Sequence, residues 1–504
     1  MASVAGPPEV RIGQGALRGR WESGVAVFRG VPFAEPPVGA LRLAAPHPAR
    51  PWSGVRAAES FGPPPPQAAF FDMDAEAENA TDDWLTINVW SPQFDLGARL
   101  PVMVWIQGGG YVFGRSSLPE YDGGRLARDG DVVVVTLNYR VGIEGFAQLE
   151  GAPANRGLLD QVAALEWVRD NIAAFGGDRD QVTIFGQSAG GGCVAALLAM
   201  PSAAGLFHRA IAQSLPGTFF TPELAADVAA ACAAELGLQP TATDLGSVTP
   251  ARLSAAGDAV TAAIGQQANR WGRPARRSIP FAPVIDGDVL PVTPWEALAA
   301  GAGRDIDLVA GHTRHEHRLF LLIDGLLGQV SPEQAATALA QFAPEPDGAH
   351  QYRDGFPAAG PDELYELVHA DWLFRMPSLH LADAQVAGGG RAYLYELTWP
   401  APGMGGALGA CHGLDVPLTF GNLNRGQPAV LIGAGPIPDA EALSARIRAA
   451  WTAFAGNGDP GWPRYDTRER LTQLFDADPA VTRYPEEQSR VIWQDHHFNA
   501  LPLK

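Results

Sequence analysis

Val182-Thr183-Ile184-Phe185, then Gly186-Gln187-Ser188-Ala189-Gly190, then Gly191-Gly192-Cys193-Val194-Ala195-Ala196-Leu197-Leu198-Ala199-Met200: this stretch decides the fold. It reads as a short apolar strand, a tight turn, and an Ala-rich helix running to about Met200. In a chain with 58 glycines, Gly-x-Ser-x-Gly arises easily by chance. Its position between a strand and a helix is the informative part. A sharp strand-to-helix turn lifts a serine hydroxyl above the sheet edge, and small residues on either side relieve the crowding. The helix behind it offers free N–H groups and the positive end of its dipole. That setting predicts a nucleophile at Ser188, activated by a neighbouring base.

Upstream, Trp84–Trp90, Pro101–Ile106 and Val132–Leu137 are continuous apolar runs ending in turn signals. Such runs predict strands buried on both faces of a sheet. Between Val132–Leu137 and Val182–Phe185 lies a helix over Gly157–Phe175, with Leu158, Val162, Leu165, Val168 and Ile172 at helical spacing and Gly176-Gly177 as its stop. Strand, helix, strand is a βαβ unit, so this part of the sheet is parallel. Ala210–Gln213, Ile306–Ala310 and Ala392–Leu397 read as later strands, and Glu9–Gly13 and Val25–Arg29 as small antiparallel ones. Residues 222–277 and 330–385 are helical excursions, and Trp399–Gly409 is a Gly/Pro-rich mobile loop. The expected fold is α/β: one domain over 1–504, a large, mostly parallel central sheet with helices on both faces and excursions over the active site.

Composition narrows the function. Of 504 residues, 46% are hydrophobic and 18% charged, as in ordinary globular proteins. The net charge of −19 repels nucleic acid and anionic membranes, so neither is an expected partner. No apolar run is long enough to cross a membrane, and the N-terminus lacks the pattern of a secretory signal. Three cysteines, Cys193, Cys232 and Cys411, are too few and too scattered for a disulfide framework or a zinc ribbon. The expected location is cytoplasmic.

Two further motifs suit a serine nucleophile. Gln107-Gly108-Gly109-Gly110-Tyr111 follows a strand end, where glycines let backbone N–H groups approach a developing oxyanion. Gly109, Gly110 and Ala189 are the expected donors. A dinucleotide loop is the competing reading, but the spacing is wrong and no helix follows. Among eleven histidines, His412 stands out, late in the chain and just after the Gly-rich loop. The order serine, acid, histidine places the acid between them. After Ile306–Gly311 comes His312-Thr313-Arg314-His315-Glu316-His317, where Glu316 is the candidate, with Asp305, Asp307 and Asp324 as alternatives. His315-Glu316-His317 also invites a metal reading, but no second ligand cluster accompanies it. No metal or cofactor is expected.

Together these motifs resemble the type-B carboxylesterases, the branch that includes the cholinesterases and the bacterial para-nitrobenzyl esterases. The likeness runs along nearly the whole chain: Phe28–Pro37 (FRGVPFAEPP), Leu85–Trp90, Gly108–Gly110, Asn138–Gly142, Gly157–Gly191, Phe207–Ser214, Phe281–Gly287, and the Glu316 and His412 segments. It implies a triad of Ser188, Glu316 and His412, with the oxyanion donors named above. It further implies Ser214 as a hydroxyl near the acid, and two structural ion pairs, Arg42 with Asp82 and Arg140 with Asp160. The departures are informative. Trp84 stands where secreted members have a disulfide cysteine, Gln107 where His is common, and Gln187 where Glu usually adjoins the nucleophile. A neutral Gln187 and the lack of a tryptophan in residues 62–83 argue against cationic choline esters.

Phe70, Phe71, Tyr111, Phe113, Phe219 and Phe220 are candidates to line an aromatic, uncharged pocket. The expected substrate is therefore a small, uncharged, apolar or aryl carboxylic ester, hydrolysed through an acyl-enzyme. An acyltransferase using the same acyl-enzyme and a non-catalytic binding module on the same fold are the alternatives. Nothing in the sequence bears on oligomeric state.

Overall fold

The central strand of the sheet explains the rest. In Leu100–Ile106, Val102, Val104 and Ile106 join one buried cluster while Met103 and Trp105 join another. Side chains alternate along a strand, so a strand apolar at every position must be covered on both faces. The structure, a computed structural model, describes residues 6–67, 82–95, 97–426, 428–433, 435 and 437–504.

The strands are β1 (Glu9–Ile12), β2 (Gly15–Arg18), β3 (Arg20–Glu22), β4 (Val25–Pro32), β5 (Val55–Ala57), β6 (Thr86–Ser91), β7 (Leu100–Ile106), β8 (Val133–Leu137), β9 (Gly177–Gln187), β10 (Arg209–Gln213), β11 (Asp307–Thr313), β12 (Arg391–Leu397), β13 (Leu471–Phe475) and β14 (Ala480–Arg483). β1, β2 and β5 form a small separate sheet. The other eleven form one sheet in the order β14-β13-β12-β11-β10-β9-β7-β8-β6-β4-β3. From β8 to β13 every neighbouring pair is parallel; the two edges are antiparallel. The large, mostly parallel α/β sheet expected from the sequence is thus observed, with antiparallel ends.

Helix α1 spans Arg156–Asn171 and closes with a 3-10 turn over Ile172–Phe175, where the sequence predicts one continuous helix. The left-handed Gly176 caps that turn. β9 is longer than its apolar run predicts, extending to Gln187, and α2 (Ala189–Ala199) starts immediately after Ser188. The two expected excursions contain helices at Pro222–Ala234, Pro250–Ala263, Pro332–Phe342, Pro361–Ala370 and Met376–Ala387.

One expected ion pair forms and one does not. Arg140 and Asp160 are both fully buried and meet through Nη2–Oδ1 at 2.7 Å and Nε–Oδ2 at 2.9 Å, with the Arg140 backbone N–H also on Oδ2. Removing one partner strands a buried charge. Asp160→Ala should therefore cost about 3–5 kcal/mol, measured as a fall in the urea midpoint at unchanged slope. Arg42 does not meet Asp82. Its guanidinium turns inward to Glu144, 2.6 Å away, and donates to the carbonyls of Gly246 and Val248. The reason is burial: Glu144 is 4% exposed and needs a counter-charge, whereas Asp82 is exposed and hydrated, and Arg56 pairs with the adjacent Asp83.

Candidate active site

Ser188 sits between the end of β9 and the start of α2 with φ 59° and ψ −129°, a strained backbone for a non-glycine residue. Close packing forces this shape. A Cβ on Gly190 would lie 2.0 Å from the Ile106 carbonyl oxygen, and one on Gly186 would lie 2.6 Å from the Gly190 backbone. The small flanking residues are thus a steric requirement of the turn. Gly190→Ala should destabilise the protein by about 1–3 kcal/mol and displace Ser188, read as a lower thermal midpoint with loss of the activity expected of Ser188.

The glycine loop lies against this turn. A Cβ on Gly108 would come within 3.2 Å of Ser188 Cβ. Gly109 (φ 113°) and Gly110 (φ 60°) adopt conformations that favour glycine. The backbone N–H groups of Gly109, Gly110 and Ala189 donate to no protein acceptor among the described residues. Ala189 is buried, Gly109 half-buried and Gly110 exposed, and free N–H groups beside a serine are donors that an incoming oxygen can use.

The expected base and acid arrive on two loops stitched together. His315 N–H donates to the Ala410 carbonyl at 2.8 Å, and His315 Nδ1 accepts from the Ala410 N–H at 3.1 Å. Burial, followed by the charge of Arg318, holds His315 down at about 3, so its Nδ1 stays an acceptor. This stitch sets Glu316 beside His412: Nδ1 to Oε2 is 2.5 Å, with both side chains buried. Burial alone would raise the Glu316 carboxyl. The His412 charge and hydrogen bond, the Ser214 hydroxyl and the Thr313 N–H outweigh it, and the carboxyl ends below its usual range. Ser214 lies close to that carboxylate, at a geometry short of a full hydrogen bond. The Thr313 N–H donates to Glu316 Oε1 at 2.8 Å. His315 and His317 diverge from Glu316, one to the Ala410 backbone and the other stacked on His369 at 4.5 Å.

Of the alternative acids, Asp307 pairs with Arg391 at the far end of β11, and Asp324 lies near Arg277. Asp305 lies two residues before β11, also at that far end.

Three groups near His412 were not among the residues singled out from sequence. Helix α3 (Arg318–Ile323) brings Phe320 to 5.3 Å from the imidazole, and a π-helical turn over Asp371–Arg375 stacks Phe374 on it at 4.2 Å. Asp415 opens helix α4 (Asp415–Phe420) and accepts from Gln213 at 2.8 Å and Tyr395 at 3.2 Å. Burial raises Asp415 to about 6, and the Glu316 charge adds to this. Asp415 had a signal, standing three residues beyond His412; the two phenylalanines had none.

The aromatic pocket expected from sequence needs correction. Tyr111 packs on Phe146 at 5.1 Å, Phe219 packs on Trp295 at 5.5 Å, and Phe220 is bridged to Val284 and Leu501. All three are at most 1% exposed, so they fill the core instead of lining open space. Phe113 is half-buried, its carbonyl against Gly109. Phe70 and Phe71 lie outside the described residues.

Among the described residues, no helix is long and apolar enough to cross a membrane. The carboxylesterase family profile matches residues 6–493. The para-nitrobenzyl esterase of Bacillus subtilis (strain 168) is 36% identical over 488 residues, covering 94% of this chain and 96% of that protein. The phenmedipham hydrolase of Pseudarthrobacter oxydans is 36% identical over 505 residues, covering 95% of each. Among solved structures, a Geobacillus stearothermophilus carboxylesterase at pH 6.2 superposes with a TM-score of 0.85 at 36% identity, covering 96% of this chain and all of that one. The chain belongs to the carboxylesterase family, and it is a carboxylic ester hydrolase on the α/β-hydrolase fold.

Proposed function

We propose that hydrolysis proceeds through an acyl-enzyme on Ser188, with His412 as base, Glu316 as the acid that orients it, and Gly109, Gly110 and Ala189 as oxyanion donors. The 2.5 Å contact of His412 Nδ1 with Glu316 carries this reading. It holds the ring so that Nε2, on its other side, can take a proton. His412 removes the Ser188 proton as Oγ attacks the ester carbonyl. The oxyanion gathers on the three free N–H groups, and His412 returns the proton to the leaving alcohol. Water then repeats the two steps on the acyl-enzyme.

A small, uncharged, apolar or aryl ester is the substrate class we favour. Phe320 and Phe374 around the base support it, and a relative named for para-nitrobenzyl esters points the same way. A reducing, cytoplasmic setting is supported by three buried cysteines, all free. A panel of nitrophenyl esters of increasing acyl length, run with and without a competing alcohol, tests the reading. Free acid as the main product supports hydrolysis, and transfer to the alcohol as the dominant route would replace it with acyl transfer.

A further inference from the structure

His412 has a second partner. Its Nδ1 is committed to Glu316, so the neutral ring carries its lone pair on Nε2. At 3.1 Å from Nε2 lies Nε2 of Gln187, both side chains being buried. An amide nitrogen only donates, so the Gln187 N–H points into that lone pair. The amide oxygen of Gln187 lies toward the glycine loop, 3.6 Å from where a Cβ on Gly108 would sit. Gln187 thus spans from the oxyanion loop to the base. Ser188 Oγ forms no hydrogen bond with any described residue, so the amide holds the position at which the serine proton would arrive.

The other groups facing the imidazole leave Nε2 alone. Glu316 occupies Nδ1. His317, from the acid segment, is kept neutral by burial. Asp415, from α4, interacts with the ring through charge, and its carboxylate is hydrogen-bonded to Gln213 and Tyr395. Cys411 adjoins His412 and is buried, its thiol pushed up to about 12. Phe320 and Phe374 bring no charge.

We propose that Gln187 is a positioning residue: it holds the His412 imidazole by Nε2 and favours the unprotonated base, and substrate binding exchanges the amide for the Ser188 hydroxyl. This rests on the assignment of Ser188 and His412 above. A donor at Nε2 stabilises the ring with its lone pair free, because protonation would set N–H against N–H. A carboxylate of the same shape does the reverse, accepting from the protonated ring.

The test is the pH profile of kcat/KM for a nitrophenyl ester. Gln187→Glu should move the acidic limb up by about one pH unit, close to a tenfold loss at a fixed pH on that limb. Gln187→Met, which keeps the length but neither donates nor carries charge, should move it in the same direction by less. A role confined to packing would lower rates without moving the limb. Acidic limbs that superimpose on the wild-type limb in the folded variants would overturn the proposal, and Gln187→Met decides alone if Gln187→Glu does not fold. Ser188→Ala, run in parallel, separates the cases: activity surviving there removes the serine assignment itself.

Discussion

Ser188→Ala is expected to lower kcat/KM for a nitrophenyl ester by about four to six orders of magnitude while the protein stays folded. In the proposed cycle the alanine removes the atom that forms the acyl-enzyme, leaving the free N–H groups of Gly109, Gly110 and Ala189 to supply a small residual rate. The fold should survive because Ser188 is half-buried and its side chain makes no hydrogen bond to the described residues. The left-handed backbone of residue 188 is imposed by Gly186, Gly190 and the Ile106 carbonyl, and alanine meets the same constraint as serine. Two measurements check this. Circular dichroism and the thermal midpoint should match the parent protein. A serine-directed phosphonate should label the parent on the peptide containing Ser188 and fail to label the variant. Labelling elsewhere, or full activity in Ser188→Ala, would refute the assignment.

The parts of this site that sequence conveys are those fixed by local chain geometry. Continuous apolar runs name β7 and β8 because a two-sided sheet demands them. Gly186 and Gly190 name the turn because no larger residue fits against β7. Glu316 and His412 were placed by chain order and motif, and the structure puts them 2.5 Å apart. Long-range side-chain choices were not legible. Arg42 selected Glu144 over Asp82 by relative burial, which depends on the packing of residues 102 positions away. Tyr111, Phe219 and Phe220 have the composition of a pocket wall, but whether an aromatic ring fills a core or lines a cavity depends on its neighbours in space. Phe374 stacks on His412 from a π turn over Asp371–Arg375, and no residue pattern signals that extra residue per turn. Gln187 was visible as a change of charge beside the nucleophile; its direct bond to the base was not.

The acid gives the second large effect. Glu316→Gln keeps the size of the side chain and should lower kcat by about three to four orders of magnitude with KM little changed. An amide can still accept from the Thr313 N–H through its oxygen, which turns its NH₂ toward His412 Nδ1. Nδ1 must then carry the lone pair and Nε2 the proton. A ring with hydrogen on Nε2 cannot take the Ser188 proton, and that hydrogen also faces the Gln187 N–H. Stability carries an independent sign. Glu316 lies below its usual carboxyl range in the fold, so its contribution is present above an unfolded value of about 4.3 and is lost as pH falls through the lower folded value. Glu316→Gln removes that term, so its stability should fall less steeply below about pH 4 than the parent's, measured by urea unfolding at several pH values. A variant with the parent's acid slope and intact kcat would show that His412 takes its orientation elsewhere. Loss of kcat together with the flattened slope ties both effects to the single carboxylate at Nδ1, which is what a buried 2.5 Å contact between acid and base requires.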